Sequence, residues 1–146
     1  MSEEYSIIDR VFIRKEDREI YQRIRTENGA LNGVKNVDLF LMAMVLGFEE
    51  KGRDGFNEKT PKLSDGLIRT ASFSSDHWNL IKSFAVYITE DINVLLDINK
   101  MLDIAQRYAY FGITILDDLY FNDQYNFLDI MEELMLNKYN HEEIGV

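Results

Sequence analysis

The sequence predicts a mostly α protein: one helical domain over residues 1–146, with about six helices and a short N-terminal β-strand or arm. Three observations predict it. Chain breakers are scarce, with one proline, Pro61, and eight glycines in 146 residues; a turn-rich β fold needs more. Apolar residues make up 46% and aromatics 12%, enough for a packed core. Apolar side chains also recur at three- and four-residue spacing through most of the chain.

In order, the ends 1–9 and 140–146 read as flexible. "RVFIRK" alternates basic and apolar residues, with Val11 and Ile13 facing one way and Phe12 the other, as in a strand or extended arm. "KEDREIYQRIRTEN" reads as a helix through Ile20, Tyr21 and Ile24, stopped by Gly29. After the loop "ALNGVK", Asn36 is placed to cap a helix with Asp38 in its first turn. The apolar run Val37 to Phe48 is far short of the roughly twenty residues a membrane span needs, and it contains Asp38. It therefore reads as a central helix buried on most sides.

Residues Glu50 to Lys62 form a polar loop, and a further helix is expected from near Ser64. Ser74 or Ser75 caps the next, with Trp78, Ile81, Phe84, Ala85 and Ile88 in one stripe. Asp91 to Phe121 reads as a long helical stretch with Ile92, Leu95, Leu96 and Ile98 among its apolar positions. Gly112 is expected to interrupt it, with a second break near Asp97–Asn99. A last helix puts Phe127, Leu128, Met131, Leu134 and Met135 inward.

Composition excludes several function classes. The chain has no cysteine, so disulfides, thiolate catalysis and Cys-based metal sites are ruled out. This fits a cytoplasmic protein, and "MSEEYSIIDR" has no signal-peptide apolar region. Charge is uneven. Residues 1–70 hold 12 Lys/Arg and 13 Asp/Glu, whereas residues 71–146 hold 4 and 13. The acidic half would repel a phosphate backbone, so nucleic-acid contact is possible but not favoured, and it would fall to the N-terminal half.

No catalytic, metal or cofactor motif stands out, and neither an enzyme nor a cofactor is expected. His77 opens a helix and His141 lies beside Glu142 and Glu143; neither has a metal-ligand spacing. Asp117, Asp118, Asp123, Asp129, Glu132 and Glu133 read as a solvated acidic face rather than a cation site. "SFSSDH" reads as helix capping, without the context of a nucleophile elbow. A basic strand followed by two helices is also the order of ribbon–helix–helix DNA binders, with Arg10, Arg14, Lys15 and Arg18 as the cations. A regulator of that kind is the alternative function; an acidic-helix metal protein or enzyme is the second alternative.

"VDLFLMAMVLGFEEKGR" and "RYAYFGITIL" carry a family resemblance. An apolar helix ends in Leu46-Gly47-Phe48 and runs into a turn with Lys51, Gly52 and Arg53. Tyr108, Ala109 and Gly112 follow, then Ile115 and Leu116. Over about Ile20 to Leu119 this resembles small accessory proteins encoded beside DNA phosphorothioation (Dnd-type) genes in prokaryotes. The resemblance implies a non-catalytic accessory protein of DNA modification or phage defence, with protein partners from the same operon. It points to Lys51 and Arg53 as candidate interface residues, joined by Arg10, Arg14 and Arg18 on charge alone. No membrane association is expected. A homodimer is also expected, since a short strand needs a pairing partner.

Overall fold

The computed structural model describes residues 9–27, 29–122 and 132–133. Its elements are β1 (Arg10–Ile13), α1 (Arg18–Thr26), α2 (Asn36–Lys51), β2 (Asp65–Arg69), α3 (Ser75–Thr89) and α4 (Ile98–Asn122). Single 3₁₀ turns at Lys15–Asp17, Arg53–Asn57, Thr70–Ser72 and Ile92–Leu96 link them. The mostly α class is as expected. The described residues hold four α-helices rather than about six; the expected last helix lies outside them, apart from the helical, exposed Glu132 and Glu133.

The helix expected near Ser64 is instead a strand. β2 runs antiparallel to β1, pairing Arg10 with Arg69, Val11 with Ile68, Phe12 with Gly66 and Ile13 with Asp65. Cross-strand pairing and burial of Ile68 decide the conformation of "DGLIR" over its local pattern. Val11 and Ile13 face inward, as alternation predicts. The pairing that β1 needs is thus met within the chain, so the strand–helix–helix order does not here require a ribbon shared with a second copy. A register shift between Val11 and Phe12 takes the Phe12 N–H off the ladder. The buried Gln106 of α4 accepts it through Oε1 at 2.8 Å, which ties the ribbon to the core.

α2 and α4 form the centre of the fold. Val37, Leu39, Phe40, Leu41, Ala43, Met44 and Leu46 of α2 are buried, which matches a helix covered on most sides. From α4, Met101, Leu102, Ile104, Ala105, Tyr108, Ala109, Ile113 and Leu116 meet them. Two local expectations are corrected. Asn36 is the first helical residue rather than the cap; Lys35 takes that place and makes no side-chain capping bond. Gly112 does not interrupt α4, which runs through it; the break falls at Asp97, between the 3₁₀ turn and α4.

α3 starts as the sequence predicts. The Ser74 hydroxyl accepts from the His77 N–H at 3.2 Å, and the His77 Nδ1 accepts from the Ser74 N–H at 3.0 Å. This reciprocal cap satisfies two otherwise orphaned donors. With Nδ1 accepting, the neutral ring carries its proton on Nε2, which reaches Asp38 Oδ1 at 3.0 Å. His77 therefore fastens the start of α3 to the start of α2. Among the described residues, no helix is long and apolar enough to cross a membrane.

Candidate functional site

The two stretches that carried the resemblance meet in space. Gly47 and Gly112 sit where α2 crosses α4. A Cβ on Gly112 would run into the Ala43 carbonyl and the Gly47 nitrogen, and one on Gly47 would run into the Tyr108 carbonyl. Both positions need hydrogen for the backbones to approach this closely. Phe48, the next residue, turns to the adjoining face. It packs edge-on against Phe84 at 5.7 Å and Tyr87 at 5.5 Å, with Tyr108 at 6.1 Å. Such edge-to-face packing adds to the burial of the rings.

Tyr108 also organises the turn after α2. Its hydroxyl accepts from the Phe56 N–H at 3.0 Å and shares its one proton between the Gly52 carbonyl at 2.7 Å and the Arg53 carbonyl at 2.9 Å. Burial pushes the Tyr108 pKa up, partly offset by the Phe56 N–H, so the hydroxyl keeps the proton it donates. Gly52 ends α2 at φ 66°, ψ −169°, a conformation that favours glycine.

Four of the five candidate cations are engaged within the chain. Lys51 meets Glu58 at 3.1 Å and lies over the Phe111 ring. Arg53 lies 4.4 Å from the Tyr87 ring centroid, donates to the Tyr87 carbonyl at 3.0 Å and meets Glu90 at 3.2 Å. It thereby closes the last turn of α3, where Glu90 adopts a left-handed conformation. Arg14 pairs with the buried Asp17 at 2.8 Å and lies over Tyr110. Arg18 grips both oxygens of Asp65 at 2.7 and 2.8 Å and donates to the Gly66 carbonyl. These hydrogen bonds hold the Asp65 carboxyl below its ordinary pKa and raise that of Arg18. Arg10 stands opposite Arg69 across the ribbon.

The acidic face is likewise occupied in part. Asp117 pairs with Arg23, and Asp118 accepts from the Asn122 amide. Asp123, Asp129 and His141 lie outside the described residues. Among those described, no group of three or more His, Asp or Glu is placed to hold a metal ion.

One surface was missed by sequence reasoning. Ile92, Leu96 and Ile98, which the sequence places among the apolar positions of a long helical stretch, are exposed: Ile92 at 68%, Leu96 at 87%. Tyr87 joins them at 53%. The reason is local. Residues 92–96 form a 3₁₀ turn with only Val94 buried, and side chains three apart eclipse, so Ile92 and Leu95 line up together. With α3 they wall a groove of about 490 Å³ lined by Lys82, Ser83, Val86, Tyr87, Ile92 and Leu95. A signal was present. "INVLLDI" has five apolar residues in seven, more than one helical face can bury, between Asp91 and Asp97, which both cap the backbone that follows.

The molecule so defined is a helical protein whose motif glycines and basic turn serve its own central helix crossing, with Tyr87, Ile92, Leu96 and Ile98 exposed among the described residues. A family model described as DNA sulphur modification system-associated protein 4 matches residues 10–145. The chain belongs to that family, and so is associated with a DNA sulphur modification system. No curated protein and no solved structure matched it.

Proposed function

We propose that this chain is a non-catalytic accessory protein of a DNA sulphur modification or phage-defence system, acting through protein–protein contacts. The observation that carries this reading is the exposure of four large apolar side chains, Tyr87, Ile92, Leu96 and Ile98, two of which, Tyr87 and Ile92, line one groove. Exposed apolar side chains gathered beside a groove mark interaction surfaces. Of the first candidates for an interface, Lys51 lies over Phe111, away from these side chains, and Arg53 reaches Tyr87. Arg53 holds the backbone and ring of Tyr87, and its guanidinium stays within reach of a partner at the groove's edge.

Co-expression with the products of neighbouring modification genes tests this. Retention of one of them by the tagged chain, with loss of modification or defence on gene deletion, is the expected result. No retention, together with unchanged modification and defence, would refute it.

A second reading, contact with nucleic acid, is favoured by one observation. Arg10 and Arg69 face each other across β1 and β2 without an acidic partner among the described residues. Like charges directly opposite are unfavourable unless an anion joins them. A salt-dependent mobility shift lost in the Arg10→Ala/Arg69→Ala double variant is its expected signature. No shift at low salt removes it.

A further inference from the structure

We propose, resting on the nucleic-acid reading above, that the outward face of the β1–β2 ribbon and the cleft beside it bind a single strand of nucleic acid. Three cations meet there. Arg10 and Arg69 stand opposite each other at one end of the ribbon. Arg69 also lines a cleft of about 370 Å³ between β2 and the start of α2, with Lys35, Asn36, Val37, Leu67 and Ser72. The charged residues lining it, Lys35 and Arg69, are both cations. Arg10, Lys35 and Arg69 form no ion pair among the described residues. The acids close to them in sequence do not neutralise them. Asp38 is engaged by His77 and Asp65 by Arg18, and Asp9 pairs with neither arginine. In a chain of net charge −10, the local charge here is positive and draws an anion.

The cleft adds neutral donors. Lys35 makes no side-chain capping bond. The first helical bonds of α2 run from the Asp38 and Leu39 N–H groups to the Lys35 carbonyl. The Asn36 and Val37 N–H groups therefore have no acceptor among the described residues, and the Ser72 hydroxyl has no partner there either. Cations, backbone amides and a hydroxyl are the donors that hold phosphodiester oxygens.

A ring beside the cations selects the form of the strand. Along β1, Val11 and Ile13 are buried, while Arg10 and Phe12 are half-buried on the other face. Gln106 fixes the Phe12 backbone from behind. Phe12 stands opposite Gly66, and a Cβ on that glycine would lie 3.0 Å from Arg10 Cδ and 3.7 Å from the Phe12 ring. The glycine thus leaves room for Arg10 to lie across the ribbon next to the ring. Phe12 pairs with no other aromatic ring and no cation among the described residues. An aromatic ring beside phosphate-binding cations is a platform for an unpaired base, and stacking on it needs no particular sequence. A duplex keeps its bases stacked on one another and has no free base face to offer.

Fluorescence anisotropy of a labelled oligothymidine with the full chain at low salt tests this, with an unlabelled duplex of equal length and inorganic phosphate as competitors. Saturable binding that weakens with salt, and against which both competitors are poor, is the expected result. Lys35→Ala/Arg69→Ala should weaken it on the order of ten-fold and flatten its salt dependence, since each lost phosphate contact removes a released counterion. Phe12→Leu should weaken it about five-fold or more with the salt dependence unchanged, as lost stacking does. Lys35 and Arg69 are exposed, and thermal melting checks that each variant is folded.

No saturable binding at low salt overturns the proposal and the nucleic-acid reading together. Binding that is lost in Arg10→Ala/Arg69→Ala but indifferent to Lys35→Ala and to Phe12→Leu overturns the proposal and leaves that reading standing. So does a duplex that competes as well as the single strand. Displacement of the strand by an equal concentration of inorganic phosphate also overturns it, because the ligand is then a free anion.

Discussion

The crossing of α2 with α4 and the edge formed by α3 with residues 92–96 are built on opposite terms. At the crossing, two glycines bring backbones together and Tyr108 satisfies three backbone groups of the following turn. At the edge, a leucine and an isoleucine stand in solvent with no covering element among the described residues. The crossing holds the residues that carried the sequence resemblance; the edge holds residues that look ordinary. A short motif rich in glycine and arginine is thus explained here by packing, and the open chemistry lies beside it.

Substitution should separate the two regions sharply. Gly112→Ala forces a methyl into the Ala43 carbonyl and is expected to cost about 3 kcal/mol or more, read by chemical denaturation. If it proves neutral, the close crossing is wrong. Tyr108→Phe strands the Phe56 N–H and the Gly52 carbonyl and should cost about 1–3 kcal/mol in the same measurement.

Tyr21 sharpens the contrast from within the core. Its hydroxyl is buried without a hydrogen-bond partner among the described residues. Burial, helped by the Asp17 charge, pushes its pKa far up and keeps it neutral. Tyr21→Phe should therefore leave stability unchanged or raise it by up to about 1 kcal/mol. A large loss would show a partner for the hydroxyl.

The Arg18–Asp65 pair supplies the pH dependence. The Asp65 pKa is depressed in the fold, so its contribution is present above the unfolded value, near 3.8, and is lost as pH falls through the lower folded value. Both side chains are partly in water, which limits the contribution to about 0.5 kcal/mol. Arg18→Ala should remove that acid-side slope from the stability curve. At the edge, Leu96→Glu should change stability by less than about 0.5 kcal/mol, since the side chain is 87% exposed.

Much of this was legible in the sequence, and the failures have physical causes. The alternation of Val11 and Ile13, the Ser74 cap and the stripe of Ile81, Ala85 and Ile88 each follow from local rules, and each is present. β2 was not legible, because its conformation is set by pairing with a strand more than fifty residues earlier. Gly112 reads as a breaker when only its own helix is considered; its reason lies across the interface, in Ala43. The cations looked available because sequence shows their charge and not their partners. Arg18 finds Asp65 forty-seven residues away. The exposure of Ile92 and Leu96 was not legible because the helical stretch read from Asp91 onward is, at residues 92–96, a 3₁₀ turn.

The central claim is that binding belongs to the edge and architecture to the crossing. Amide hydrogen exchange of the chain, alone and bound to a co-purified modification-system protein, tests it most directly. Slowed exchange confined to residues 82–100, with the already protected α2–α4 crossing unchanged, is the predicted result. Slowing confined to residues 10–13 and 65–69, or to the turn at 51–57, would contradict it.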